Sequence, residues 1–267
     1  MKFSIITPSY NQGKFLEQTI KSVISQGGDF EIEYIIADGG STDNSVEIIN
    51  KYDQLLKANK FSIKCKAVKL IWWSKKDKGQ TEAINKGILK ATGDIIAYLN
   101  SDDIYLPGTF EKVSKAFLKN PDKVWLAGQC KIIDEKGREI QKPIKYYKNL
   151  WLKHFSYNRL CITNFIAQPA TFWRRSIHSK IGYFNEKLHY VMDYDFWLRA
   201  GKISDPIILQ DNLSCFRIHT QSKGGSNFYK QFQEDLITTI KYSDKKYVLA
   251  LHRTHNQLIK YIYTLIK

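Results

Sequence analysis

The chain has 267 residues, 43% of them hydrophobic and 25% charged, with a formal net charge of +15. That length and composition suit one large α/β domain, with or without a small appendage, and exclude global disorder. No run reaches the ~18 consecutive apolar residues of a spanning helix, and the opening residues lack the basic, apolar and small-residue pattern of a signal peptide, so a cytoplasmic location is expected.

Residues 3–7 form a strand, and 15–25 carry a helical stripe through Phe15, Leu16, Ile20, Val23 and Ile24. A second strand covers 34–37, after which Ser41 or Thr42 caps a helix bearing Val46, Ile48 and Ile49. A third strand covers 70–73, a helix 82–90 is closed by Gly93, a fourth strand covers 95–99, and Pro107 opens a helix near 108–118. This β-α-β order implies a mostly parallel sheet with helices on both faces. In such sheets ligands bind outside the carboxyl ends of the strands. Polar loops follow each strand: Thr7-Pro8-Ser9-Tyr10-Asn11, Asp38-Gly39-Gly40-Ser41-Thr42-Asp43, Ser74 to Gln80, and Asn100-Ser101-Asp102-Asp103. Four such loops on one edge make a single crevice.

In the second half, segments 124–133 and 138–141 flank a hairpin turn at Asp134-Glu135-Lys136-Gly137. Helices are expected at 175–181 and 194–200, short strands at 207–209 and 213–216, and a helical tail from Asn227 onward. Cys65, Cys130, Cys161 and Cys215 are widely spaced and read as buried free thiols, not a zinc site or a disulfide framework. No Asp or Glu lies between Ile140 and Asn185, a stretch with eight Lys and Arg residues and many aromatics. It suits anionic headgroups, diphosphates or nucleic acid, or it is a solvated face.

Adjacent carboxylates such as Asp102 and Asp103 repel, and a divalent cation relieves the repulsion. The alternative is that Ser101 or Asp102 caps the following helix. Asp38 is either a turn aspartate or an acceptor for a base or ribose. Asp193 is either a helix cap or a general base, with Asp195 the weaker candidate. His219 stands alone.

Taken together, Ser4 to about Lys223 resembles the family-2 glycosyltransferases with the GT-A fold. The resemblance is carried by the loops above, by Asp77-Lys78-Gly79-Gln80, by Gln168-Pro169-Ala170-Thr171-Phe172-Trp173, and by Met192-Asp193-Tyr194-Asp195-Phe196-Trp197. It implies a GT-A, Rossmann-like domain over 1–225, with a nucleotide-binding half at 1–105 and an acceptor half at 106–225, followed by a helical tail at 226–267. It also implies an inverting transfer from a nucleotide-diphosphate sugar, with UDP expected, to an acceptor hydroxyl.

In that scheme Thr7, Pro8, Tyr10 and Asn11 line the base. Asp38 binds base or ribose, Asp77 and Gln80 close the donor site, and Asp102 contacts ribose or sugar. Asp103 holds Mn²⁺ or Mg²⁺, His219 approaches the metal, and Asp193 is the catalytic base. Arg174 and Arg217 are candidates for steadying the leaving diphosphate. Gly39 and Asn100 stand where many relatives carry an acid, and Met192 where they often carry Glu. The basic amphipathic tail, with Leu258, Ile262 and Leu265 on one face, points either to peripheral contact with a membrane's inner face and a lipid-linked saccharide acceptor, or to an ordinary helix packed on the domain or in a dimer. The rival readings are a sugar nucleotidyltransferase and a basic nucleic-acid-binding module.

Overall fold

The computed structural model describes residues 1–220 and 228–266, with side chains described through 220 and over 230–261. The first half alternates β1 (Lys2–Ser9), α1 (Gly13–Ile24), β2 (Gly28–Asp38), α2 (Ser45–Lys57), β3 (Cys65–Ser74), α3 (Gln80–Lys90) and β4 (Ile95–Tyr98). The second half contains β5 (Ile104–Tyr105), α4 (Thr109–Lys119), β6 (Trp125–Ile133), α5 (Lys142–Lys153), α6 (Tyr157–Ile162), β7 (Thr171–Arg174), α7 (His178–Ile181), α8 (Met192–Ile203), β8 (Ile207–Arg217), α9 (Phe228–Tyr242) and α10 (Lys246–Ile266).

The strands form one sheet in the order β3-β2-β1-β4-β7-β6-β8-β5. Alternate side chains go to opposite faces, as the twofold strand period requires. On one face Phe3, Ile5 and Tyr34 pack against Leu16 and Ile20 of α1 and Phe110 of α4. On the other, Ile6 and Ile35 pack against Ile84 and Ile88 of α3 and against α8. The α3 helix lies directly on β1 because residue 87 is glycine: a Cβ there would come 2.6 Å from Ile6 Cγ2.

The α/β architecture with helices on both faces is as the sequence implies, but the sheet is less parallel than expected. β3, β2, β1 and β4 run parallel. β7 runs antiparallel to both β4 and β6, and β5 to β8, while β6 and β8 are parallel. The expected hairpin after β6 shrinks to a turn and a single bridge, Ile133 to Glu139. Its second arm stops because Pro143 opens α5, which together with α6 is absent from the sequence-based reading. The two strands expected at 207–209 and 213–216 merge into β8. The tail is helical, as expected, and is made of α9 and α10; the expected boundary at 225/226 falls outside the described residues. All four cysteines are free.

At the lower end of the sheet, β1 and β4 are keyed by one buried carboxylate. Glu33 accepts Ser4 Oγ at 2.6 Å, Thr92 N at 2.8 Å, Thr92 Oγ1 at 2.8 Å and Lys2 Nζ at 3.1 Å. Burial alone would raise its pKa, but these donors outweigh it and hold it at about 2. A depressed carboxylate stabilises the fold above its ordinary pKa of 4.5 and loses that contribution as pH falls toward 2. Glu33→Ala should therefore cost about 2–3 kcal/mol near neutral pH. The gap from the parent protein should narrow across that acid window in urea unfolding.

Candidate active site

The upper ends of three strands lie level: Ser9 pairs with Asp38, and Asp38 with Ser74. Backbone groups leaving a sheet must find new partners, and here the loops supply them to one another. Gly39 N donates to Ser9 O at 2.8 Å, Asn11 N to Ser41 Oγ at 2.8 Å, and Thr42 N to Asn11 Oδ1 at 2.8 Å. Asn11 takes the left-handed conformation, φ 51°, to make this turn. Asp38 is buried and accepts from Gly40 N, Ser41 N, Ser41 Oγ and Ser74 Oγ. Its carboxylate thus shapes the loop from within. Thr7 is also buried and accepts from Tyr34 Oη, and Pro8 is buried beside it. Tyr10, 61% exposed, is what this loop shows to solvent. Tyr10 and Asp77 flank Gly39, where a Cβ would lie 3.1 Å from Asp77 Oδ2 and 3.4 Å from Tyr10 Cδ2.

After β4 the chain turns through Asn100 to Asp103. Thr19 Oγ1 on α1 donates to both Ser101 O and Asp103 O, at 2.9 and 2.7 Å. The two aspartates face different surroundings. Asp103 is fully buried; Arg217 N donates to its Oδ1 at 2.8 Å, and Asn100 Nδ2 lies 3.4 Å from its Oδ2. Burial, reinforced by the charge of Asp102, pushes its pKa well above the carboxylate range. Asp102 is partly exposed, with its Oδ2 2.9 Å from His219 Nε2. The sequence-based expectation placed the cation on Asp103. The geometry instead presents Asp102 and His219 together, with Asp103 behind them bracing the turn.

Asp193 lies in the first turn of α8, its Oδ1 accepting Tyr194 N at 2.7 Å. Burial pushes its pKa up to about 6, against the opposing effects of that amide and of Lys148. Asp195 is committed elsewhere: its Oδ2 pairs with Arg199 at 2.7 Å and its Oδ1 accepts Tyr242 Oη at 2.7 Å. A chain of contacts joins the start of α8 to the loops after β3 and β4. Gln80 Nε2 donates to Asn100 Oδ1 at 2.6 Å, and Asn100 reaches Gln168 as well as Asp103. Thr81 Oγ1 meets Met192 Sδ at 2.6 Å, which fixes the start of α3 against the start of α8.

Two expected cations are unavailable to a ligand. Arg174 donates to Lys123 O, Phe117 O and Asn120 O, and Arg217 to Asp102 O, Asp134 O, Glu135 O and Gln18 Oε1. Lys148 of α5, unassigned from sequence, is the cation whose charge acts on Asp193, and burial lowers its own pKa. Its signal, one lysine among several in an acid-free stretch, was too diffuse to read. Gln168 carried a better one: a polar residue before proline in an otherwise apolar segment.

Among the described residues no three His, Cys, Asp or Glu side chains cluster to hold a metal ion. The Asp102–His219 pair nevertheless fits a cation that takes its remaining oxygen ligands from substrate phosphates. No helix among the described residues is long and apolar enough to cross a membrane.

The family model for glycosyl transferase family 2 matches residues 4–182. An uncharacterised glycosyltransferase of Nostoc sp. is 26% identical over 272 residues, covering 91% of this chain and 77% of its own length. The chain covers less of two other relatives, 64% and 63%. Residues 1–349 of S. aureus TarS, solved with UDP-GlcNAc, superpose with a TM-score of 0.66 at 19% identity, covering 93% of this chain and 69% of that one. The mannosyltransferase PcManGT of Pyrobaculum calidifontis, solved with GDP-Man and Mn²⁺, gives a TM-score of 0.68 at 15% identity, covering 93% and 68%. At these identities the two structures speak to the fold.

The two aspartates of α8 make opposite predictions for stability. The folded state favours neutral Asp193, so its ionisation above about pH 6 costs stability. Asp193→Asn should melt at or above the parent temperature near pH 8, with the difference gone at about pH 4. Asp195→Asn should lose about 3 kcal/mol near pH 8, because it strands Arg199. Calorimetric melts of both variants across pH check the pair.

Proposed function

Because the chain belongs to glycosyl transferase family 2 and is a glycosyltransferase enzyme, we propose that it moves a sugar from a nucleotide diphosphate to an acceptor hydroxyl in one inverting displacement, with Asp193 as base. The observation that supports this reading is the run of contacts from Asp102–His219 (2.9 Å) through the Asn100 turn and Gln80 to the Thr81–Met192 contact beside Asp193, whose pKa burial pushes up to about 6. A base must be ionised at working pH yet basic enough to accept a proton, and a value near 6 meets both needs.

In this reading the base and ribose lie along Tyr10, Asn11 and the Asp38–Asp43 loop, with Asp77 and Gln80 at the side. The donor half is thus 1–105 and the acceptor half 106–225. Asp102 and His219 would hold the divalent cation, Mn²⁺ or Mg²⁺, against the donor diphosphate. When bound, that ion neutralises the charge gathered by the departing nucleoside diphosphate. Asp193 takes the proton from the acceptor hydroxyl. The acceptor oxygen then bonds to the anomeric carbon as the carbon–oxygen bond to the diphosphate breaks, its electron pair leaving with the phosphate. Lys148 holds positive charge beside Asp193 and tempers the rise in its pKa.

UDP-sugar is the donor we favour, in line with the UDP-GlcNAc bound to TarS, and GDP-sugar is the alternative that PcManGT supplies. For the acceptor we favour a lipid-linked saccharide of a surface polysaccharide. A sugar nucleotidyltransferase would use a similar sheet but would exchange pyrophosphate.

A screen of nucleotide sugars with released nucleoside diphosphate as readout tests the reading; pyrophosphate formation would contradict it. With the donor in hand, Asp193→Asn should keep donor affinity and lose transfer by about 10³-fold or more. Transfer by the parent protein should rise with pH through about 6 and then level. Asp102→Ala and His219→Ala should each weaken Mn²⁺-dependent donor binding about tenfold by calorimetry, and unchanged affinity would remove the pair from the metal site.

A further inference from the structure

We propose that α5 and α10 form a docking face for an anionic lipid bilayer. On α10 the exposed side chains Tyr247, Leu251 and Leu258 follow a spacing of four and then seven residues, with Tyr261 three further on, so they share one stripe of the helix. Their exposures are 56%, 51%, 55% and 62%. The opposite side of the helix, through Val248, His252 and Asn256, is buried against the domain. The stripe is therefore a second apolar face, in addition to the one that packs.

The α5 helix touches α10 beside this stripe. Tyr147 stacks on His255 of α10, with Tyr147 Oη 2.7 Å from His255 Nε2. In the same helix Tyr146 is 72% exposed and Leu150 50%. An exposed patch of tyrosine and leucine spread over two helices marks an interaction site more often than chance exposure does.

Charge selects the occupant. Neither helix contains an Asp or Glu. Of the four lysines of α5, Lys142 and Lys153 are exposed, whereas Lys145 pairs with Glu139 and Lys148 faces Asp193. On α10, Lys246, Arg253 and Lys260 form a row beside the stripe, with Lys260 over the Phe232 ring. The acids that meet the two helices do so on their inner sides: Asp235 accepts Asn256 Nδ2 of α10 at 3.0 Å, and Asp193 faces Lys148 of α5. Outside them stand Asp244, exposed just before α10, and Glu139, which is paired with Lys145. Cations flanking an apolar stripe place their ammonium groups at phosphate level while leucine and tyrosine enter the acyl boundary. A second copy of this chain would bring the same cationic rows face to face, because a twofold interface is made of identical patches. The bilayer answers both the charge and the apolar stripe.

The face also has a use. α5 presents Tyr146 and Leu150 outward, while the charge of Lys148 acts on Asp193. The α5 helix thus has the proposed docking face on one side and the lysine that acts on the proposed base on another. An acceptor anchored in the bilayer would meet that base without leaving the surface. Docking itself stands apart from the proposed chemistry; only this last link rests on it.

The test uses the full chain in co-sedimentation with vesicles. Phosphatidylcholine vesicles containing about 30% phosphatidylglycerol should capture the protein at about 50 mM salt and release most of it at about 500 mM. Pure phosphatidylcholine should capture far less. L251E/L258E and, separately, Y146E/L150E should each reduce capture by about tenfold or more, with unchanged melting curves and unchanged calorimetric affinity for nucleoside diphosphate. No capture, capture indifferent to lipid charge, or capture unaffected by either variant would overturn the proposal. So would self-association without vesicles that L251E/L258E abolishes, since that assigns the face to a second copy. Release of nucleoside diphosphate without vesicle capture would refute docking alone, and capture without such release would refute the chemistry alone.

Discussion

The Arg217 guanidinium, buried at the end of β8, donates to Asp102 O, Asp134 O, Glu135 O and Gln18 Oε1, while its backbone amide donates to Asp103. A guanidinium withdrawn from water is tolerable only when its N–H groups are paired. That requirement draws four segments together: the middle of α1, the turn after β4, the turn after β6 and the end of β8. The paired aspartates are therefore held in one arrangement, Asp103 turned inward and Asp102 toward His219. Phe15 closes the assembly, packing on both His219 and the Arg217 guanidinium.

The same logic recurs across the crevice. Asp38 is buried among its own loop's donors, and Asp195 is locked by Arg199 and Tyr242. Asp193 differs from these two, as Asp103 and Asp235 also do. It has one backbone donor and a desolvated carboxyl, so its ionisation is opposed by the fold. Sites that carry out chemistry are often those where a group is kept short of its ideal solvation.

Much of this was legible in the sequence. Strands β1 to β4 and their polar ends follow from short apolar runs and the residues after them, because strand burial and turn chemistry are local properties. What was not legible depended on direction. Asp102 and Asp103 are neighbours, and which of them faces the crevice is decided by Arg217 and His219, more than a hundred residues away. Arg174 and Arg217 looked like ligands for a diphosphate; only the fold shows their N–H groups spent on carbonyls. The α5 helix was missed because it buries little beyond Leu152 and so has no core stripe. The expected tail face placed Leu258 with Ile262 and Leu265. Leu258 is exposed, but its described companions are Leu251 and Tyr247, and the side chains of 262–267 lie outside the described residues.

The central claim is that one crevice seats a cation and a diphosphate at Asp102 and His219, facing Asp193. A crystal grown with Mn²⁺ and UDP, with data collected at the manganese edge, addresses it most directly. The account predicts an anomalous peak within coordinating reach of the Asp102 carboxylate and a His219 ring nitrogen, in contact with the diphosphate. A nucleotide bound elsewhere, or manganese on any other side chains, would contradict it.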